Sequence, residues 1–102
     1  MIADTLSRMK VPYRYEYPVV LKNGVKVYPD FYCLNVRKRK PIILEHFGMM
    51  DKIDYVENVM LKLNSYEKSG LKLGEDYIFT MENSSNPLST KMIMESINKY
   101  LV

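Results

Sequence analysis

Tyr28-Pro29-Asp30-Phe31 and Ile43-Leu44-Glu45-His46-Phe47-Gly48 are the stretches that decide how this chain is read. An aspartate follows a proline inside one apolar run, and fifteen positions later a glutamate ends a second apolar run. Each run has the character of a β-strand. The short connection between them carries four consecutive cations, Arg37-Lys38-Arg39-Lys40, as a hairpin tip would. Neighbouring strands can bring two carboxylates on one face within reach of a single ion, and hard cations such as Mg²⁺ take oxygen ligands of that kind.

Tyr13 to Leu21 alternates, with Tyr13, Tyr15 and Tyr17 on one face and Arg14 and Glu16 on the other, which predicts a strand. Asn23-Gly24 is a two-residue hairpin signal, and Val25 to Leu34 reads as the returning strand. Pro29 inside it calls for a bulge or an edge position, and a bulge there would re-aim Asp30. Pro41 to Phe47 is the third strand. The main helix spans residues 51–68, with Asp51 as N-cap, a core stripe of Ile53, Val56, Met60 and Leu63 supported by Val59, and Tyr55, Lys62 and Tyr66 in a line at its flank. Gly70 stops it, and Tyr77 to Met81 is a fourth strand. A last helix begins at Asn86-Pro87, and a short amphipathic helix over residues 2–9 opens the chain before Pro12. The order αβββαβα predicts an α/β sandwich with a mixed sheet and a parallel crossover through the main helix.

Pro29-Asp30 followed by Glu45 resembles the signature of the PD-(D/E)XK nuclease superfamily. The longer string Pro29-Asp30-Phe31 with Glu45-His46-Phe47-Gly48 is similar to its restriction-endonuclease-like branch, found in DNA repair proteins and fused to DNA helicases. The resemblance covers roughly residues 11–82. It implies a three-layer restriction-endonuclease-like sandwich with a mixed sheet of about four strands, and Asp30 and Glu45 as ligands of Mg²⁺, with Mn²⁺ able to substitute. The family pattern places a lysine two positions after the glutamate, where this chain has Phe47. His46 and Lys62 are the candidates to take over the role of that lysine, which holds or polarises the attacking water. Superfamily members do move the lysine to a neighbouring helix. Lys52 is a further candidate, and Glu16 a weaker third acid.

Each of these residues also has a plainer reading. Asp30 can be an exposed acid at a strand end, Glu45 the partner of the basic tip, His46 a hydrogen-bonded structural residue, and Lys62 an ordinary surface lysine. Arg37, Lys38, Arg39 and Lys40 are a solvated turn or else contacts to DNA phosphates that position without reading sequence.

Composition narrows the field. The chain has 102 residues, 47% of them apolar and spread throughout, so it reads as one folded domain, residues 1–102, either compact or a fragment of a longer protein. No run approaches the ~20 apolar residues that span a bilayer, and the first ten residues do not read as a signal peptide. Cys33 is the only cysteine, which excludes a disulfide framework and a cysteine metal cluster and leaves it as a small core residue. These features predict a cytoplasmic location. The net charge of +3 and pI near 8.9 are compatible with nucleic acid, and nine tyrosines can stack on bases or fill core and rim positions.

The expected function is a metal-dependent DNA phosphodiester hydrolase. Its expected partners are DNA, a helicase domain or subunit, and a second copy of the chain. Two rivals stand beside it: the same fold with catalysis lost, serving as a DNA- or protein-binding module, and a structural domain that dimerises through its tyrosine-rich faces. Fold alone does not choose among them.

Overall fold

The computed structural model describes residues 1–102. Its elements run α1 (Ile2–Arg8), β1 (Tyr13–Tyr15), β2 (Val19–Val20), β3 (Lys26–Val27), β4 (Phe31–Asn35), β5 (Lys40–Phe47), α2 (Ile53–Lys68), β6 (Tyr77–Met81) and α3 (Thr90–Tyr100). A four-stranded sheet has the order β1-β4-β5-β6, and β2 with β3 forms a separate two-stranded hairpin. The pairs β1–β4 and β4–β5 are antiparallel, whereas β5–β6 is parallel. A parallel pair needs a long crossover, and α2 supplies it.

β5 is inside the sheet, which is why it is apolar at consecutive positions. On one face Ile42 and Leu44 join Phe31, Cys33 and Ile78, covered by Ile2 and Leu6 of α1 and by Ile93 and Ile97 of α3. On the other face Ile43 and Tyr77 pack with Tyr66 of α2 and with Leu21. The chain is thus an α/β fold with a mixed four-stranded sheet and three helices. None of the helices is long and apolar enough to cross a membrane. Burial pushes the Cys33 thiol up to about 12, so it stays protonated in the core, as expected of a small core residue.

Two long strands expected from alternation are broken. The first ends at Tyr15, because Glu16 takes a left-handed backbone conformation (φ 45°) and Pro18 has no N–H to donate. The returning strand stops at Val27 and resumes at Phe31, so Tyr28-Pro29-Asp30 is a connection rather than a bulge within one strand. The Asn23-Gly24 turn is present, with Gly24 at φ 83°, and it closes the small β2–β3 hairpin.

The face of α2 also differs from expectation. Ile53 is 77% exposed and Met60 52%, so neither belongs to the core. Val59 is buried and Leu63 packs beside Tyr66 as expected, and the helix also turns Tyr55, Lys62 and Tyr66 toward the sheet, an i, i+7, i+11 line. A polar partner in the sheet decides the rotation, since Lys62 and Tyr66 both end on Glu45. Asp51 does not cap the helix; Lys52 holds that position without a side-chain cap, and Asp51 accepts a hydrogen bond from the Ser84 hydroxyl. The last helix starts at Thr90, later than Asn86-Pro87, and Ser89 caps it through the Met92 N–H.

One surface ion pair fastens the start of β5. Lys40 Nζ lies 2.8 Å from Asp76, whose other oxygen accepts from the Lys72 N–H at 2.7 Å. Lys40 first, and then that N–H, hold the Asp76 carboxyl below its ordinary value of 3.8. A depressed carboxyl contributes stability that is full above its unfolded value and is lost as pH falls through the lower folded value. Asp76→Asn is therefore expected to cost about 0.2–1 kcal/mol at pH 7 and progressively less as pH falls below the ordinary carboxyl range, the pair being partly solvated. Urea melts of both proteins from pH 7 to pH 2 check this, and parallel curves would show that Asp76 carries no such linkage.

Candidate active site

The register of the β4–β5 hairpin builds the site. Phe31 pairs with Leu44, which brings Asp30, one residue before β4, level with Glu45 of β5. Each acid is then held by the other's strand. The Asp30 N–H donates to Glu45 Oε1 at 2.9 Å, and the His46 N–H donates to Asp30 Oδ2 at 2.7 Å.

Glu45 is fully buried and points toward α2. A buried carboxylate is costly unless it is paired and hydrogen-bonded. Here the Tyr66 hydroxyl donates to Glu45 Oε2 at 2.5 Å, and Lys62 Nζ lies 2.7 Å from the same oxygen. Tyr66 is itself fully buried. Burial, and then its hydrogen bond to Glu45, push its hydroxyl above the ordinary tyrosine value, so it remains a donor. Lys62 keeps about a third of its side chain exposed and faces a cleft of about 180 Å³ that Asp30, Tyr55 and Asn58 also line. The Tyr55 hydroxyl accepts from the Gly48 N–H at 3.1 Å and so ties the end of β5 to α2.

Glu45 therefore pairs with Lys62 and not with the basic tip, which corrects the plainer reading of that residue. The tip is five residues up the hairpin, about 17 Å away at ~3.3 Å per residue. Arg37, Lys38 and Arg39 are exposed there, and Lys40 is engaged by Asp76. The structure does not bring this run to the carboxylates.

His46 points to the opposite sheet face, as alternation along a strand dictates. Its Nδ1 is 2.8 Å from the Thr80 hydroxyl and its Nε2 3.0 Å from Glu82 Oε1. The Leu88 N–H, and then His46, hold the Glu82 carboxyl below its ordinary value. The hydrogen bond from His46 to Asp30 comes from its backbone N–H, while both ring nitrogens bond on the other face. Phe47 points the same way as Glu45, is buried, and packs on Phe79 with ring centres 5.6 Å apart. Lys52 makes no ion pair with either acid. Glu16 reaches the neighbourhood of Asp30 from the far side, where both line a second, larger cleft.

Tyr66 is the residue that sequence reasoning passed over. Its signal was its position in line with Tyr55 and Lys62, one turn beyond the lysine. Glu82 and Thr80 gave no signal, because their contact with His46 crosses more than thirty residues.

No group of three His, Cys, Asp or Glu side chains forms a ready metal cage. The site offers two carboxylates. Asp30 Oδ1 takes no protein hydrogen bond, and Glu45 Oε1 takes one, so both retain lone pairs. That donor set fits Mg²⁺ in the mode in which one or two carboxylates hold it and water and substrate phosphates complete the shell. No family model, no curated protein and no solved structure matches the chain.

Proposed function

We propose that this domain is a metal-dependent hydrolase of DNA phosphodiester bonds with a restriction-endonuclease-like architecture of the PD-(D/E)XK kind. One observation carries the reading. Asp30, Glu45 and a lysine converge at the end of a hairpin, with Lys62 Nζ 2.7 Å from Glu45, although Phe47 occupies the usual lysine position. Asp30 and Glu45 would hold Mg²⁺, with Mn²⁺ as a substitute. When bound, the ion supplies Lewis-acid polarisation of the phosphoryl group and activation of water at neutral pH.

The chain's own residues do the rest. Lys62 holds a positive charge at the cleft, where it offsets charge developing on the scissile phosphate and orients the attacking water. Tyr66 and the Asp30 amide fix the Glu45 carboxylate, so it does not reorganise during reaction. Arg37, Lys38 and Arg39, in the turn beyond the Asn35–Lys40 pair, meet the DNA backbone more than about 17 Å from the cut and set its position without reading bases. The DNA-repair and helicase-associated context rests on the Glu45-His46-Phe47-Gly48 resemblance alone.

The test is cleavage of single-stranded and duplex DNA by wild-type protein in Mg²⁺, Mn²⁺ or EDTA. Cutting is expected with either metal and none in EDTA. Asp30→Asn is expected to slow cutting at least about 100-fold, the scale of losing one contact to transition-state charge. Its melting temperature should hardly move, because the amide oxygen still accepts from the His46 N–H. An Asp30→Asn protein that cuts like wild type ends the hydrolase reading.

A second reading has a specific observation in its favour. Lys62 and Tyr66 already neutralise and occupy Glu45 Oε2, as in a site that has given up metal and serves as a binding module. DNA binding with neither cutting nor uptake of Mn²⁺ in titration would decide for that module.

A further inference from the structure

On the far side of Asp30 from Lys62 lies a cleft of about 440 Å³, larger than the one between Asp30 and Lys62. Asp30 and His46 line both clefts, so the two meet at the candidate catalytic acid. Ile2, Phe31 and Leu88 make the apolar wall, and Tyr15 and Glu16 stand along it. A mostly apolar cleft of a few hundred Å³ with a few polar groups at one end is the usual form of a site for a small planar ligand.

Two features single out this cleft. Tyr15 is 60% exposed although its ring is held edge-on by Tyr13 at 5.4 Å and tilted against Phe31 at 5.2 Å between centres. An aromatic ring pre-oriented by its neighbours yet open on one side is a stacking platform. Glu16, beside it, adopts a left-handed backbone conformation at φ 45° and lines the cleft together with Asp30.

We propose that this cleft receives one unpaired base of a DNA single strand, next to the phosphate held between Asp30 and Lys62. The base stacks on Tyr15 against the wall of Phe31 and Leu88. Glu16 accepts a hydrogen bond from an exocyclic amino group, so cytosine and adenine are preferred over thymine. The neutral base enters the acidic end while the phosphates stay on the Lys62 side. This rests on the hydrolase reading for its substrate, and it adds that the substrate is single-stranded at the cut.

The test uses fluorescein-labelled dC and dT 12-mers and a 12-base-pair duplex, with binding read by anisotropy in EDTA so that no strand is cut. Wild type is expected to favour the dC strand. Tyr15→Ala should weaken single-strand binding roughly tenfold, the scale of one lost base–aromatic stack, and leave the duplex unchanged. Tyr15→Trp should retain binding, and Glu16→Gln should erase the preference for dC over dT. Tyr15 is exposed, so its loss does not endanger folding. Wild type that does not bind the 12-mers, a Tyr15→Ala protein that binds them as wild type does, or equal losses on strand and duplex would each overturn the base site. Cleavage in Mg²⁺ is scored in parallel. Tyr15-dependent binding without cleavage removes the hydrolase reading and keeps the base site; cleavage with Tyr15-independent binding does the reverse.

Discussion

On the proposed hydrolase reading, Lys62→Met is expected to abolish Mg²⁺-dependent cleavage, and on the geometry alone to lower the stability of the fold by about 2–4 kcal/mol. The partner of Lys62, Glu45, has no contact with water, so removing the ammonium leaves a buried charge short of compensation. Breaking a buried pair typically costs about 3–5 kcal/mol. The lower figure applies here because Lys62 is partly solvated and because Tyr66 and the Asp30 amide continue to donate to Glu45. For a domain of this length the loss corresponds to roughly 10–25 °C in Tm. The double variant Lys62→Met/Glu45→Gln separates the two roles. With the buried charge gone it should regain about half of the lost stability, the rest being the cost of Gln at position 45, while remaining inactive. Thermal and urea melts beside cleavage assays make the comparison. A single variant that melts with wild type would mean that Glu45 does not depend on Lys62.

The second large effect is expected at Glu45 itself. Glu45→Ala removes the acceptor of both the Tyr66 hydroxyl and the Asp30 N–H. A buried donor left unsatisfied costs about 1–3 kcal/mol, and a cavity adds to it. The expected loss of about 4 kcal/mol is a large fraction of the ~5–15 kcal/mol that holds a small domain together. Glu45→Gln keeps the shape and an acceptor for the Asp30 N–H, so it should lose about 1–2 kcal/mol. Chemical denaturation of the two variants tests this, and equal midpoints would contradict the geometry. Cleavage should be absent in both.

What could be read from the chain and what could not divide along physical lines. Asp30 and Glu45 were legible as neighbours because two apolar runs joined by a short turn have little freedom of register, and a slip by one residue would invert every side chain. The break at Glu16 was not legible. The alternation Tyr13, Tyr15, Tyr17 continues straight through a residue whose backbone leaves the strand region, and no side-chain pattern reports a local φ. The rotation of α2 was hidden for a different reason. Ile53 and Met60 make the better apolar stripe, but the helix orients on the needs of a buried carboxylate, and Lys62 and Tyr66 meet those needs with long side chains that carry polar ends. The bridge from His46 to Glu82 joins strands made parallel only by the crossover, so it exists only once the tertiary fold does.

The amide protons of Asp30 and His46 are handed to carboxylates rather than to a neighbouring strand's carbonyls. In solution each amide therefore acts as a spectator of the other motif: its chemical shift and its rate of hydrogen–deuterium exchange report whether the carboxylate it faces is in place, ionised or engaged elsewhere. Two backbone resonances, one before β4 and one within β5, thereby read out both halves of the site in a titration, with no label placed on any side chain.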